Sequence, residues 1–170
     1  MPCRRRGEKV IVLTLQTLFY EDLSPGQSES LTKIVSASDV VGFAEVSGDR
    51  NPIHLSEHFA ARTPFRTRIA HGLYTASLIS ALLGTRLPGP GAIYLSQTLN
   101  FRAPVRIGDE VVVSVTVAEL IERGHRARLD CLCKVGDTVV LEGEATVKVP
   151  SRAEMAETAG REPEDGPRAP

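Results

Sequence analysis

The run GLYTASLISALLGT, residues 72–85, sets the tightest limit on what this chain can become. Wound as a helix, its Leu73, Ala76, Leu78, Ile79, Ala81, Leu82 and Leu83 would cover most of the circumference. A helix apolar nearly all round belongs either in a bilayer or inside a protein. Spanning a bilayer takes about 20 apolar residues, and this run falls short. It is therefore expected to be a helix enclosed by the rest of its own domain. Leu87-Pro88-Gly89-Pro90-Gly91 ends it, since proline brings no amide donor and glycine little restraint.

The enclosing material follows it. Residues 92–101, 110–122, 127–135 and 138–149 are rich in Val, Ile, Leu and Thr, the composition of strands. Arg106-Ile107-Gly108-Asp109 and Val135-Gly136-Asp137 read as tight turns, so consecutive strands should pair antiparallel. The simplest architecture is α+β, a curved antiparallel sheet wrapped around the 72–85 helix. Upstream, Ser24-Pro25-Gly26-Gln27 is a turn signal and residues 30–36 read as a strand. Ser38 suits a helix N-cap, with Asp39 at the positive helix end, and Val40, Val41, Phe43, Ala44 and Val46 supply an apolar face. Residues 56–62 read as a short helix capped by Ser56, and 63–69 as an arginine-bearing loop.

Composition narrows the function classes. The chain's 170 residues suit one domain with a sizeable core. A net charge of −1, with arginines scattered, gives no electrostatic case for nucleic acid. No run suggests a membrane span, and a cytoplasmic location is expected. Cys3, Cys131 and Cys133 show neither a disulfide framework nor zinc spacing, and Cys131 and Cys133 read as small buried thiols. Residues 1–18 form an extension opening with Arg4, Arg5 and Arg6. It imitates a signal peptide but has polar Thr14, Gln16 and Thr17 in its apolar part and no small-residue cleavage site, leaving organellar targeting as a minor alternative. The domain proper should occupy residues 19–150. Residues 151–170, rich in Pro, Gly, Ala and Glu, carry too little apolar surface to repay ordering and are expected to be disordered.

Chemistry concentrates in Val46-Ser47-Gly48-Asp49-Arg50-Asn51-Pro52-Ile53-His54. Pro52 removes a donor and biases Asn51 away from helical geometry, so a loop is expected here rather than a regular helix. Such a loop can aim the Asp49 carboxylate and the His54 imidazole at one point. Seventeen positions on, Ala70-His71-Gly72 opens the apolar helix, whose first amides have no partner within the helix. An acid/base pair and an oxyanion site are thus offered together. Read alone, Asp49 could equally be a turn-forming residue and His54 a satisfied core histidine.

The string Phe43-Ala44-Glu45-Val46-Ser47-Gly48-Asp49-Arg50-Asn51-Pro52-Ile53-His54 resembles the hydratase-2 motif of MaoC-like proteins, which have the hot-dog fold. Ile69-Ala70-His71-Gly72, Leu95-Ser96-Gln97-Thr98-Leu99-Asn100-Phe101 and Pro104-Val105-Arg106-Ile107-Gly108-Asp109 resemble it too. The likeness spans most of the chain and is nearest to the short, single-domain (R)-specific enoyl-CoA hydratases. It implies syn addition of water to a trans-2-enoyl-CoA, giving an (R)-3-hydroxyacyl-CoA for polyester synthesis or fatty-acid turnover. Asp49 and His54 would manage the protons of one water. The Gly72 amide would hold the enolate oxygen, and Ser77, on the same helix, would orient the site.

On the substrate side, Asn51 and His71 border the pair, although Asn51 better suits a loop-shaping role and His71 a part in fixing the helix entry. Arg66, Arg68, Arg102 and Arg106 match phosphate in a bidentate fork, and Tyr74, Leu78, Leu95 and Phe101 suit an acyl tunnel. No cofactor and no metal are expected, coenzyme A being part of the substrate. The expected partners are an acyl-CoA and a second copy of the chain in a homodimer, with no nucleic acid and no membrane. Two neighbouring activities stay open: dehydration of 3-hydroxyacyl groups on acyl carrier protein, and acyl-CoA thioester hydrolysis. A binding subunit without turnover ranks last, because nothing is missing from the motif.

Overall fold

The computed structural model describes residues 15–159 of the chain. Cys3, Arg4, Arg5, Arg6 and the last eleven residues, and with them most of the expectations for both termini, lie outside this range. A 3-10 turn, Tyr20–Asp22, precedes β1 (Ser28–Ile34) and α1 (Ala37–Ser47). Two short helices, α2 (Pro52–Leu55) and α3 (Glu57–Ala60), lead to α4 (Gly72–Thr85). Then come β2 (Ile93–Gln97), β3 (Asn100–Phe101), β4 (Glu110–Ile121), β5 (Arg126–Val135), β6 (Thr138–Lys148) and α5 (Arg152–Ala159).

The six strands form one antiparallel sheet in the order β1-β4-β5-β6-β2, with β3 also on β6. Alternation decides which face is inside. Val111, Val113, Val115 and Val117 of β4 are buried, as are Ala127, Leu129, Cys131 and Cys133 of β5. Val113 faces Cys133 and Val115 faces Cys131 across the ladder, so both thiols are core packing. Burial pushes Cys131 up to about 11 and Cys133 up to about 12, values at which neither is a nucleophile near neutrality. A register shift between Cys133 and Lys134 interrupts the alternation on β6, so that Val140 and Leu141, adjacent in sequence, are both buried.

Helix α4 keeps the expected bounds and packs on β4 and β1, burying Tyr74, Thr75, Ile79, Leu82 and Leu83. Fully burying side chains such as Ile79 and Leu82 stabilises by about 1.5–3 kcal/mol each. The expectation that the helix is enclosed on most sides needs correction. Leu73 is 60% exposed, and Ser77 and Ala81 are also open, because the sheet covers one side and nothing among the described residues covers the other.

Three further readings change. The cap of α1 is Ser36, not Ser38: Ser36 Oγ accepts from the Asp39 amide at 3.1 Å, and the Asp39 carboxylate accepts the Ser36 amide at 2.8 Å. The Ser36 hydroxyl, which donates to the Asp39 carboxylate at 2.7 Å, then the Ser36 amide and Lys33 at 3.0 Å, hold Asp39 down to about 2. The expected strand 92–101 is two strands, because the chain crosses β6 where Gly143 has no side chain; a methyl there would overlap the Thr98 carbonyl. The tail is ordered as far as α5, contrary to the expectation of disorder from residue 151. Arg152 bonds Asp22 at 2.5 Å and its guanidinium lies 5.1 Å from the Phe19 ring centre, while Glu154 lies 3.1 Å from Lys148. Ion pairs and a Ser151 cap secure this segment, so its shortage of apolar side chains misled. No helix among the described residues is long and apolar enough to cross a membrane.

Candidate active site

The site begins where α1 stops. Gly48 takes the left-handed conformation, φ 77°, and its amide bonds the Ala44 carbonyl. This releases the chain into Asp49 and Arg50. Contrary to the loop expectation, residues 52–55 form a helical turn. Asn51 caps it by accepting the Ile53 amide at 3.2 Å, and Pro52 sits in the first turn, where its missing amide costs nothing. The turn carries His54 inward, to 8% exposure, while Asp49 stays on the open rim.

Hydrogen bonds fix the ring of His54. Its Nδ1 lies 2.8 Å from the Ile69 carbonyl, which can only accept, so Nδ1 carries the hydrogen and Nε2 is the basic nitrogen. Burial lowers the pKa of His54, with a further push from His71; the Ile69 bond and the Asp49 charge act the other way. The Asp49 carboxylate also accepts the Asn51 amide at 3.1 Å, so it shapes the turn as well as facing the cavity. Asp49, His54 and His71 each offer a ligand-type atom, all within 4.8 Å of one another. Among the described residues this is the group that could hold a metal ion; the same atoms can equally handle protons.

These groups open on a cavity of about 500 Å³. Gly72 lies on its wall at the positive end of α4, where the first amides lack intrahelical partners. The Phe101 ring lies against Gly72, so close that an added Cβ would stand 2.8 Å from it. Phe65, Ile69, Ala103, Val105, Val140 and Leu141 make much of the remaining wall apolar. Arg102 also borders it, with its Nε and Nη2 both donating to Glu142, at 2.8 and 2.6 Å.

The expected site residues therefore divide. Asp49, His54, His71, Gly72, Phe101 and Arg102 meet at one cavity. Asn51 does not line it and is occupied as a helix cap. Ser77 does not reach it either; its hydroxyl donates to the Tyr74 carbonyl at 2.7 Å, one turn back on α4. Tyr74 is buried edge-on to Phe43, Leu78 packs against the core, and Leu95 lies exposed on β2, so none of the three forms a tunnel in the single chain. Arg68 pairs with Glu57 at 3.3 Å, Arg66 reaches the Ala61 carbonyl, and Arg106 is exposed; none touches the cavity. Sequence reading missed Val140 and Leu141. The apolar triplet Val139-Val140-Leu141 was the available signal, but which two turn inward depends on the register shift.

Comparison with known proteins places this geometry. Residues 22–138 match the MaoC like domain. The chain is 71% identical over 147 residues to a 3-hydroxybutyryl-CoA dehydratase of Methylorubrum extorquens, covering 86% of this chain and 94% of that protein. It is 54% identical to an (R)-specific enoyl-CoA hydratase of Rhodospirillum rubrum, covering 79% and 93%. Among solved structures, an (R)-hydratase from Aeromonas caviae superposes with a TM-score of 0.75 at 45% identity, covering 76% of this chain and 99% of that one. An unliganded R-hydratase from Pseudomonas aeruginosa gives 0.77 at 42% identity, covering 81% and 89%. A hot-dog sheet carrying α4, an Asp-His pair and relatives of this similarity lead to one assignment: the chain belongs to the MaoC-like family.

Proposed function

We infer that this protein is an (R)-specific enoyl-CoA hydratase, a hydro-lyase adding water reversibly to trans-2-enoyl-CoA. The carrying observation is that Asp49, His54 and the amide end of α4 share one largely apolar cavity. The names of the relatives from Methylorubrum extorquens and Rhodospirillum rubrum describe the two directions of this chemistry. Water held between Asp49 and the His54 Nε2 bonds through its oxygen to the β-carbon as the pair takes one proton. Electrons of the double bond pass to the thioester oxygen, where the Gly72 amide stabilises the enolate. The pair returns that proton to the α-carbon as the enolate collapses, which completes the addition and regenerates the pair, and the thioester stays whole. Asp49 and His54 act as one unit, so the proton is assigned to the pair. Arg102 is the cavity's own cation for the phosphates of coenzyme A.

The working form is a homodimer. Leu73, Ile93, Leu95 and Phe101 are half exposed or more around α4 and the edge strand β2, a cluster that a second copy would cover. Light scattering should find a dimer at micromolar concentration; a monomer would count against it.

The direct test is ultraviolet loss of the enoyl thioester on adding protein to crotonyl-CoA, with the product resolved as the (R) isomer. The matching carrier-protein thioester, run in parallel, ranks the two carriers. Release of free thiol instead would assign the site to hydrolysis.

A further inference from the structure

His71 is the buried histidine to which the hydration scheme gives no task. It is 2% exposed and stands at the N-cap of α4, yet its side chain caps nothing. A capping role would turn Nδ1 toward the first-turn amides, but Nδ1 is buried with no partner among the described residues. Its Nε2 lies instead 3.0 Å from the backbone carbonyl of Asp49, 22 residues away. A carbonyl only accepts, so Nε2 donates. The ring also lies against His54, with centroids 3.8 Å apart and planes inclined by 32°. Phe43 of α1 stands 5.1 Å away, bracing the same ring.

These contacts converge on what the reaction needs. Asp49 lies on an exposed stretch, and its carboxylate accepts the amide of Asn51 in its own turn. His54 is fixed at Nδ1 by Ile69, but that bond alone does not set the plane of the imidazole. We propose that His71 is a positioning residue: its Nε2–H tethers the carbonyl of Asp49 and so holds that backbone at a fixed distance from His54, setting the separation of the acid/base pair. The inference rests on the hydratase reading above. It goes further in giving a second histidine a role that involves no contact with the reacting atoms.

Two substitutions separate tether from packing. His71→Phe keeps a ring against His54 but has no donor, whereas His71→Gln keeps a donor of similar reach. Misplacing a reacting group by about 1 Å can cost on the order of a hundredfold, so kcat of His71→Phe should fall by about tenfold to a hundredfold while KM for crotonyl-CoA holds. His71→Gln should recover most of the loss, to within about threefold of wild type, as expected if the donor is what matters. A residue that merely packs would lower the melting temperature of both variants without this split. Nitrogen-15 NMR of the wild-type protein should find the His71 ring with its hydrogen on Nε2. An Nδ1–H tautomer overturns the tether even where His71→Phe fails to fold. A folded His71→Phe with unchanged kcat, or a folded His71→Gln as slow as His71→Phe, also overturns it. Wild-type protein inert toward crotonyl-CoA would instead sink the hydratase reading, with the tautomer still reporting on the tether.

Discussion

The three long strands β4 to β6 and the segment running from Gly48 to Gly72 are built on opposite rules. In the strands, apart from the register shifts, side chains alternate between core and outer face, and backbone groups pair along the ladders. In the segment, polar atoms converge on a cavity: His54 and His71 are among the few buried polar side chains, and Asp49 stands beside them. One region spends its sequence on burial, the other on holding groups that burial disfavours. Stability and turnover should therefore be separable by mutation.

The largest effect should come from the site. Asp49→Asn and His54→Ala should each cost about 10²–10⁴ in kcat, the usual contribution of a positioned acid or base. Asp49→Asn, on the exposed rim, should leave the melting midpoint nearly unchanged. A variant keeping more than about a tenth of the wild-type rate would remove that residue from the pair. The converse experiment is Leu129→Ala at the centre of β5, which is fully buried. It should cost about 2–5 kcal/mol in urea unfolding while kcat per folded molecule holds. Parallel losses of rate and stability in either case would break the comparison.

Gly72→Ala should be slower but stable. Its new methyl would press on the Phe101 ring, a wall of the cavity rather than part of the core. A kcat lowered about tenfold, part of the loss from removing one oxyanion donor, with a near-normal midpoint is the expected result. Unchanged kcat would leave the enolate oxygen without this partner. The smallest effect is on stability as a function of pH. The folded pKa of His54 is lowered, so the unfolded chain binds the extra proton first. Its contribution is complete above about pH 6.5 and is lost as pH falls toward the folded value. His54→Ala should flatten that part of the curve, and an unflattened curve would assign the acid sensitivity elsewhere.

How much of this was legible follows from range. The 72–85 helix and the strands were readable because periodicity is a local property, Asp49 and His54 because they share one contiguous motif, and Gly72 because it opens the apolar helix. Readings failed where a distant partner decides. The break at Thr98 depends on Gly143 in another strand, and α5 depends on Asp22 and Lys148. The apolar face assigned to α1 is only partly inside: Val40 and Ala44 are buried, whereas Val46 is 84% exposed. Ser77, Leu78 and Leu95 share sequence neighbourhoods with the site but point elsewhere, because spacing along a helix or strand does not reveal what lies opposite. His71 was visible as a residue, yet its bond to the Asp49 carbonyl was not, since a backbone acceptor leaves no mark in the sequence.

The contact between residues 19–22 and 150–152 has a consequence for the connectivity of the chain. The Tyr20 amide donates to the Pro150 carbonyl at 2.9 Å, and Arg152 reaches Asp22. Topologically the described domain is therefore almost a ring. A short linker could join position 19 to position 152, with the chain reopened at the exposed Gly136-Asp137 turn between β5 and β6. Such a circular permutant would keep each strand ladder while exchanging which segments meet first during synthesis. The arrangement that encloses this cavity belongs to the packing of the elements, and the order in which the chain visits them is open to redesign.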